Sequence, residues 1–343
     1  MAKRERALAL REARRPRELD DVDFLTGVSD VSRQGALRFR ADATAPFLDP
    51  GHTVPRLVRL PELLRAADAA ARDDDFAAVK ELLDAGTGSL GGARPKAVVL
   101  GDDGRQLIAK FPHQSDEWDA MAWEATALDL AEQSGVRTAS HRLIRVEGRH
   151  VLLLDRFDRA GGTGKAAPGR IGYISAMTLL EHHDGDSADY VDIAERLEEV
   201  SARPKDDARQ LFRRVAVSVG LHNTDDHLRN HGFLRDRAGW TLSPAFDVNP
   251  NPDPDLRQTT IAGAGDVSDE ADGLRELARA CRLSDAQAAE DIARAASVLA
   301  GWQDVATRNG IHRSEISRFE STFVAGLAAL ADASTPRERA RAR

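Results

Sequence analysis

Apolar and polar positions follow two different rhythms along the chain, and the rhythm changes near residue 175. Between residues 84 and 160, short apolar runs such as 97–100 and 151–154 predict strands. A hairpin is expected where the first run turns at 101–104 and returns through 106–111. In this part, only 116–133 has the spacing of a long helix, which is expected to begin at Ser115 and to end at Gly135.

From residue 175 onward, apolar residues recur mainly at helical spacing. This pattern predicts helices at 187–201, 206–221, 272–282, 284–309 and 314–333. Ahead of the strand-rich part, the chain opens with a charged helical stretch, 35–40 predicts a short strand, and 55–83 has helical spacing. We therefore predict an α+β protein divided into a segment 1–60, a mainly β part 61–160 and a mainly helical part 161–343.

Composition narrows the class of protein. The 343 residues carry a net charge of −8, which gives no overall nucleic-acid signature. A single cysteine, Cys281, excludes an internal disulfide framework and a cysteine zinc cluster. No apolar run approaches the length of a membrane span, and the basic start has no apolar signal region after it. A cytoplasmic enzyme without a membrane anchor is the expectation.

Three oxygen-bearing side chains have the layout of a phosphotransferase catalytic loop. Asp225 is followed five residues later by Asn230, and Asp247 comes after a further short hairpin. An Asp can accept or orient a hydroxyl proton, whereas Asn and a second Asp are hard donors for Mg²⁺ on ATP phosphates. Asp226 is a weaker candidate for the base because only Asp225 has the five-residue spacing. A plain polar loop before a hairpin is the alternative.

A glycine-rich stretch and scarce lysines extend this candidate site. Residues 86–96 contain four glycines and run into the apolar strand, so backbone N–H groups could approach phosphate oxygens there. Only six of the 48 basic residues are lysines, yet Lys96 closes this loop and Lys110 lies in the next strand. Glu124, on the helix that follows, could pair with Lys110 as in kinases, or could be a surface glutamate.

The motifs together resemble the HipA family of serine/threonine kinases, toxins of bacterial type II toxin–antitoxin systems. The resemblance is carried by Ser89-x-x-Gly92-Ala93-x-x-Lys96, Ile108-Ala-Lys110-Phe-Pro, Asp155-Arg156-Phe157-Asp158-Arg159, Asn223-Thr-Asp225-Asp-His227-x-x-Asn230 and Pro244-Ala-Phe246-Asp247, and by the segment 187–190. It implies a bilobal protein-kinase-like fold with a mainly β N-terminal lobe that holds the glycine-rich loop and hinge. The helical C-terminal lobe would hold the catalytic loop.

The resemblance also implies a role for each matching residue. Asp225 would be the catalytic base, and Asn230 and Asp247 would hold Mg²⁺. The residues expected to bind ATP are Gly91, Gly92, Ala93, Arg94, Lys96, Lys110, Asp155, Arg156, Phe157, His227, Asn230 and Phe246. Ser89 would be an autophosphorylation site, since about two added negative charges in a phosphate pocket would repel ATP.

The resemblance also implies binding partners, and the sequence differs from the family pattern in two places. A helix-turn-helix antitoxin of HipB type is the expected partner, DNA would be bound only through it, and aminoacyl-tRNA synthetases are the expected substrates. Members of the family usually carry a β-rich subdomain ahead of the segment resembling residues 21–40, and this sequence begins only about twenty residues before that segment. We therefore expect a short form whose missing piece is supplied by a separate small protein, or a truncated reading frame. His222 stands where the family often has glycine.

Two alternatives of other classes remain. The chain could be a catalytically silent corepressor that binds an antitoxin on DNA, or a kinase of small molecules, since the motif does not specify the acceptor. The joint presence of Lys110, Asp225, Asn230 and Asp247 favours an ATP- and Mg²⁺-dependent serine/threonine protein kinase.

Overall fold

The computed structural model of the chain describes residues 5, 9, 12, 14–48, 53–71, 94–161, 169–253 and 256–335. It divides into two units, one formed by Met1–Met121 with Ser140–Tyr173 and the other by Ala122–Ala139 with Ile174–Arg343. Each unit is described by itself below. The functional division at residues 60 and 160 stays a prediction.

The first unit is built on a four-stranded antiparallel sheet. Its strands are β1 (Lys96–Leu100), β2 (Gln106–Lys110), β3 (His141–Val146) and β4 (Arg149–Asp155), arranged in the order β1-β2-β4-β3. The predicted hairpin at 97–111 is confirmed, as is the apolar strand that runs into Asp155. Gly104, with φ of 82°, takes the left-handed conformation that lets the hairpin turn.

One face of this sheet forms the core of the first unit. Ala97 and Val99 lie opposite Ala109 and Leu107, and these side chains pack with the helix Leu60–Ala71. That helix follows a 3₁₀ turn, Leu57–Arg59, and buries Leu60, Leu63 and Leu64. Each fully buried leucine contributes about 2 kcal/mol by leaving water. Because side chains alternate across a sheet, Lys96 and Lys110 lie on the other face.

The strand predicted at 35–40 is wrong. Gly35 has a φ of 74°, which is outside the range of a strand, and its N–H donates to the buried Asp158 carboxylate at 2.8 Å and not to a neighbouring strand. In this segment only an isolated bridge joins Arg40 to Phe47. The helix Asp21–Thr26 precedes it, capped by Asp20 and without a buried residue.

The predicted start of the helix at 116–133 is also wrong. The helix spans Ala120–Gln133 and starts four residues later than its acidic start signal indicates. Asp116 accepts the His113 N–H at 2.7 Å and pairs with Arg94 at 3.1 Å, so it forms a local turn and does not open the helix.

Short strands Arg159–Ala160 and Gly169–Arg170 pair further along, and the chain passes between the units at the strand Tyr173–Ser175.

The second unit is mainly helical, which confirms the pattern from residue 175 onward. Its helices are Ala176–Leu179, Tyr190–Val200, Pro204–Leu221, Glu270–Ala280, Asp285–Leu299, Trp302–Arg308 and Arg313–Ser334, with a 3₁₀ turn at Leu228–Asn230. Its strands are the antiparallel pair Gly232–Arg235 and Trp240–Leu242 and the parallel pair Ala188–Asp189 and Thr259–Thr260.

The single helix predicted at 284–309 is wrong, because the chain breaks between Leu299 and Trp302. The Gly301 N–H closes a turn on the Val298 carbonyl at 3.1 Å. The break lets Trp302 stack on Phe323 with ring centroids 4.0 Å apart, a packing gain that an uninterrupted helix would lose.

The helix Pro204–Leu221 runs through the centre of the second unit. Thirteen of its 18 residues are buried, and it contacts the helices Asp285–Leu299 and Arg313–Ser334. Gly326 permits the close approach, since a Cβ there would lie 2.5 Å from the Gly220 carbonyl oxygen. None of the helices in the described ranges is both long and apolar enough to cross a membrane.

Candidate active site

The candidate catalytic loop begins where this central helix ends. His222 is the C-cap, with φ of 51° and ψ of 45°, and its N–H bonds back to the helix carbonyls. This left-handed conformation is most easily adopted by glycine, so it is a physical reason for glycine at this position and leaves His222 unexplained. The Asn223 N–H then bonds the Ser218 carbonyl at 2.9 Å, and the chain leaves the helix toward Asp225.

Asp225 and Asn230 are brought together within one loop. The Asn230 side-chain amide donates to the Asp225 carbonyl at 3.3 Å, and the Asn230 N–H donates to the His227 carbonyl at 2.8 Å. Asp225 is exposed, whereas Asn230 is buried in the 3₁₀ turn. With its amide nitrogen turned to the backbone, Asn230 keeps its carbonyl oxygen for another partner.

Asp226 is placed quite differently from its neighbour. It is buried, and its carboxylate accepts the Tyr190 hydroxyl at 2.6 Å and His231 Nε2 at 3.1 Å. Burial alone would raise the pKa of Asp226, but the positive charge and hydrogen bond of His231 and the bond from Tyr190 outweigh it and hold that pKa below its ordinary value. A buried carboxylate with two protein partners is a brace for the loop, which supports Asp225 as the candidate base.

Asp247 lies beyond the hairpin Gly232–Arg235 and Trp240–Leu242, and its φ is 58°. Asn249 donates to its carboxylate at 3.4 Å. The residues on either side, Phe246 and Val248, line a small cavity of about 20 Å³ together with Asn230. Asn230 and the two chain neighbours of Asp247 therefore lie around one cavity of the second unit.

The donor chemistry of this neighbourhood fits Mg²⁺. A carboxylate from Asp247 and an amide oxygen from Asn230 are hard donors, and two protein donors suffice for an ion that retains water and takes phosphate oxygens as further ligands. In the described residues there is no group of three or more His, Cys, Asp or Glu side chains that could hold a metal by themselves. A site of this kind would be completed by a bound nucleotide.

The two lysines are adjacent in the first unit. Lys96 and Lys110 are directly opposed across β1 and β2, and each side chain is buried. Opposed residues of an antiparallel pair lie on the same face of the sheet, so two ammonium groups are concentrated there. Such a concentration of positive charge suits phosphate oxygens.

The three hinge candidates take different positions. Asp155 ends β4 and pairs with Arg105, and the half-buried Phe157 ring lies 6.3 Å from that of Tyr173. The Arg156 guanidinium is buried and bonds to Asp158 and to the Ser32 carbonyl. Its charged group is therefore engaged in holding the segment near residue 32, and its backbone N–H donates to the Gln106 carbonyl at 3.2 Å.

The structure gives less information on the remaining predicted site residues. Ser89, Gly91, Gly92 and Ala93 lie outside the described residues. Nδ1 of His227 is buried and has no hydrogen-bond partner among the described residues, and Glu124 is buried in the helix Ala120–Gln133. The pairing of Glu124 with Lys110 stays a prediction.

Sequence analysis missed several residues that hold the loop. His231, Arg257 and Gln258 all contact it or its supports, through bonds to Asp226, Asn223 and Asp225 respectively. Gln258 is 33 residues beyond Asp225, and no spacing or motif signals such a contact. Tyr190 belongs to the segment 187–190, whose sequence indicates no role for it.

Comparison with known proteins gives a family and a fold. The family model described as the HipA-like C-terminal domain matches residues 88–302, which is more than half of the chain. No match is found among curated proteins. Among solved structures, HipA of Shewanella oneidensis MR-1, from its complex with HipB and operator DNA, has a TM-score of 0.55 at 16% identity.

That match covers 71% of this chain and 64% of the Shewanella HipA chain, so this chain spans under two thirds of its length. The proinflammatory kinase CtkA of Helicobacter pylori is also similar, with a TM-score of 0.44, 14% identity and coverage of 71% and 94%. The predicted α+β, kinase-like HipA fold is confirmed, with the strands of the main sheet in the first unit and most helices in the second.

Proposed function

We propose that this chain, which belongs to the family of HipA-like C-terminal domains, is an ATP- and Mg²⁺-dependent serine/threonine protein kinase. The observation that supports the proposal most is the loop that joins an exposed Asp225 to a buried Asn230. Neither a DNA-bound corepressor nor a purely structural turn requires an exposed carboxylate beside an amide oxygen and a second carboxylate.

In the proposed reaction, Asp225 orients the hydroxyl of a serine or threonine and accepts its proton. The hydroxyl oxygen forms a bond to the γ-phosphorus of ATP, the bond from that phosphorus to the β,γ-bridging oxygen breaks, and ADP leaves. Asn230 and Asp247 would hold Mg²⁺, which when bound neutralises charge on the phosphates. Lys96 and Lys110 would bind phosphate oxygens from the strands β1 and β2.

Regulation and partners extend the proposal. The Shewanella HipA was solved with HipB and operator DNA, and we propose by similarity that this chain is a growth-arresting toxin bound by a helix-turn-helix antitoxin. Its substrate would be a translation component such as an aminoacyl-tRNA synthetase. We further propose that Ser89 is autophosphorylated and that the added charge weakens ATP binding.

The test is transfer of labelled γ-phosphate from ATP to the chain itself and to dephosphorylated casein. Asp225→Asn and Asp247→Asn should each abolish transfer with an unchanged circular dichroism spectrum. Asp304→Asn, an exposed residue of the helix Trp302–Arg308, is the matched control and should retain it. Transfer that persists in both active-site variants would refute the kinase proposal.

The acceptor and the modified residue need separate measurements. Phosphoserine or phosphothreonine in acid-precipitated protein supports a protein kinase, whereas label found only in small molecules from a cell extract would favour the small-molecule alternative. Mass spectrometry of protein made in the presence of ATP, with Asp225→Asn as the control, tests Ser89. An unmodified Ser89 in active enzyme would remove the proposed self-limitation.

A further inference from the structure

Asp225 receives a hydrogen bond from a residue far along the chain. The side-chain amide of Gln258 donates to Oδ1 of Asp225 at 2.6 Å. The Gln258 N–H also donates to the Thr224 carbonyl at 3.0 Å, so backbone and side chain hold adjacent residues of the loop. A carboxylate with one oxygen bound in this way has its plane and rotamer defined.

The residue before Gln258 is anchored in the interior. Arg257 is buried, forms an ion pair with the buried Glu270, and donates to the Asn223 carbonyl at 3.1 Å. It also donates to the hydroxyl and carbonyl of Ser218, at 3.1 and 3.2 Å. These bonds join the segment that carries Gln258 to the end of the central helix and to the start of the candidate catalytic loop.

The residues after Gln258 are anchored as well. Thr259–Thr260 pairs in parallel with Ala188–Asp189. The Asp189 carboxylate caps the helix Tyr190–Val200 and also accepts from the Thr260 hydroxyl at 2.5 Å and from the Gly263 N–H at 2.7 Å. Gln258 therefore projects from a backbone fixed on both sides, although its own side chain is exposed.

We propose that Gln258 is a positioning residue for phosphoryl transfer, which holds Oδ1 of Asp225 so that the second carboxylate oxygen faces the acceptor hydroxyl. This inference rests on the proposed kinase function. Catalytic groups must be held close to their productive geometry, and a fixed donor to the base achieves this before substrate binds. The contact is local to the base and does not reach the residues proposed to bind phosphates.

The decisive substitutions are Gln258→Leu, which removes the donor at similar size, and Gln258→Glu, which keeps the shape but presents oxygens to the carboxylate. We expect kcat for transfer of labelled phosphate to casein to fall about 10- to 100-fold in the first variant and at least as far in the second. KM for ATP should stay within about two-fold, and the melting temperature should be nearly unchanged because the side chain is exposed.

Gln303→Leu, an exposed glutamine on the helix Trp302–Arg308, is the matched control and should have wild-type kcat. Adding Gln258→Leu to Asp225→Asn should lower the residual rate no further, because the positioned carboxylate is already gone. A wild-type kcat in Gln258→Leu, or a lower melting temperature that accounts for the loss, would overturn the inference.

A second measurement does not depend on activity. The side-chain amide signals of Gln258 in an NMR spectrum, assigned by their loss in Gln258→Leu, should shift in Asp225→Ala if the hydrogen bond exists in solution. Unshifted signals would overturn the inference. A wild-type protein that transfers no phosphate would instead refute the proposed function, whereas an active protein with unaffected Gln258 variants would refute only the role of Gln258.

Discussion

Exchanging each of two neighbouring carboxylates for the isosteric amide should separate the candidate catalytic base from the brace of the loop. Asp225 is exposed and Asp226 is buried, so Asp225→Asn and Asp226→Asn are the same chemical change in opposite environments. We expect the first substitution to remove phosphate transfer without unfolding the protein. The second should destabilise the protein and leave catalysis measurable wherever the fold persists.

The magnitudes follow from the contacts. At Asp226 an amide has only one acceptor oxygen for the Tyr190 hydroxyl and His231 Nε2, and its NH₂ group must face one of these donors. Losing one hydrogen bond to a charged group and burying an unmatched donor costs roughly 2–4 kcal/mol. For a domain of 150–250 residues, this lowers the melting temperature by about 4–16 °C. Asp225→Asn should cost less than about 0.5 kcal/mol.

Two assays on the same preparations decide the matter. Urea unfolding followed by circular dichroism measures the free energy of unfolding, and transfer of labelled phosphate is measured at 10 °C, well below either melting transition. We expect Asp225→Asn to reduce transfer at least about 10²-fold at unchanged stability. Full stability combined with lost transfer in Asp226→Asn would show that Asp226 is the base and would refute the reasoning.

Four further predictions test other parts of the structure. In titration calorimetry, Lys110→Met should weaken the binding of ATP much more than the binding of adenosine, because adenosine lacks phosphate charge. Lys205→Met, at an exposed position, is the control and should leave the affinities for ATP and adenosine unchanged. Burial alone would raise the pKa of Asp158, but Arg156 and Arg159 lower that pKa on balance. The stability that the Asp158 carboxylate contributes is therefore fully present above its unfolded-state pKa of about 3.9, and it is lost as the pH falls through the lower pKa of the folded state. The difference in unfolding free energy between wild type and Asp158→Asn should shrink over that pH range. Burial raises the pKa of Cys281 to about 12, so iodoacetamide at pH 8 should label it only after unfolding, as followed by mass spectrometry. Gly326→Ala would place a methyl group 2.5 and 2.7 Å from the Gly220 and Val219 carbonyl oxygens and should cost about 1–3 kcal/mol in urea unfolding, while Gly301→Ala, with 3.6 Å to its nearest neighbour, should cost less.

Local order along the chain was sufficient to predict much of this protein. The hairpin of β1 and β2 and the strand ending at Asp155 depend on runs of apolar residues and on a glycine turn, which lie within a few residues of one another. The contact between Asn230 and Asp225 is also local, since five residues separate them in one loop. For these features, the contacts are made between residues close in sequence, so the spacing of residue types is enough to predict them.

Helix boundaries show where local signals compete. Asp116 has the position of a helix cap but is held by Arg94 and the His113 N–H. The helical pattern across 284–309 is continuous in sequence, yet the chain breaks so that Trp302 can stack on Phe323. In both places a contact with a residue elsewhere in the chain outweighs a propensity of less than about 1 kcal/mol per residue.

The environment of each candidate site residue was decided only by the tertiary structure. Asp225 and Asp226 are adjacent residues of the same type, and burial against Tyr190 and His231 gives Asp226 an environment that the spacing to Asn230 does not reveal. The donation from Gln258 to Asp225 depends on the Arg257 and Asp189 anchors, which bring a segment 33 residues away against the loop. Burial and long-range hydrogen bonds are properties of the packed chain, because they depend on which distant residues exclude water and supply partners at each position.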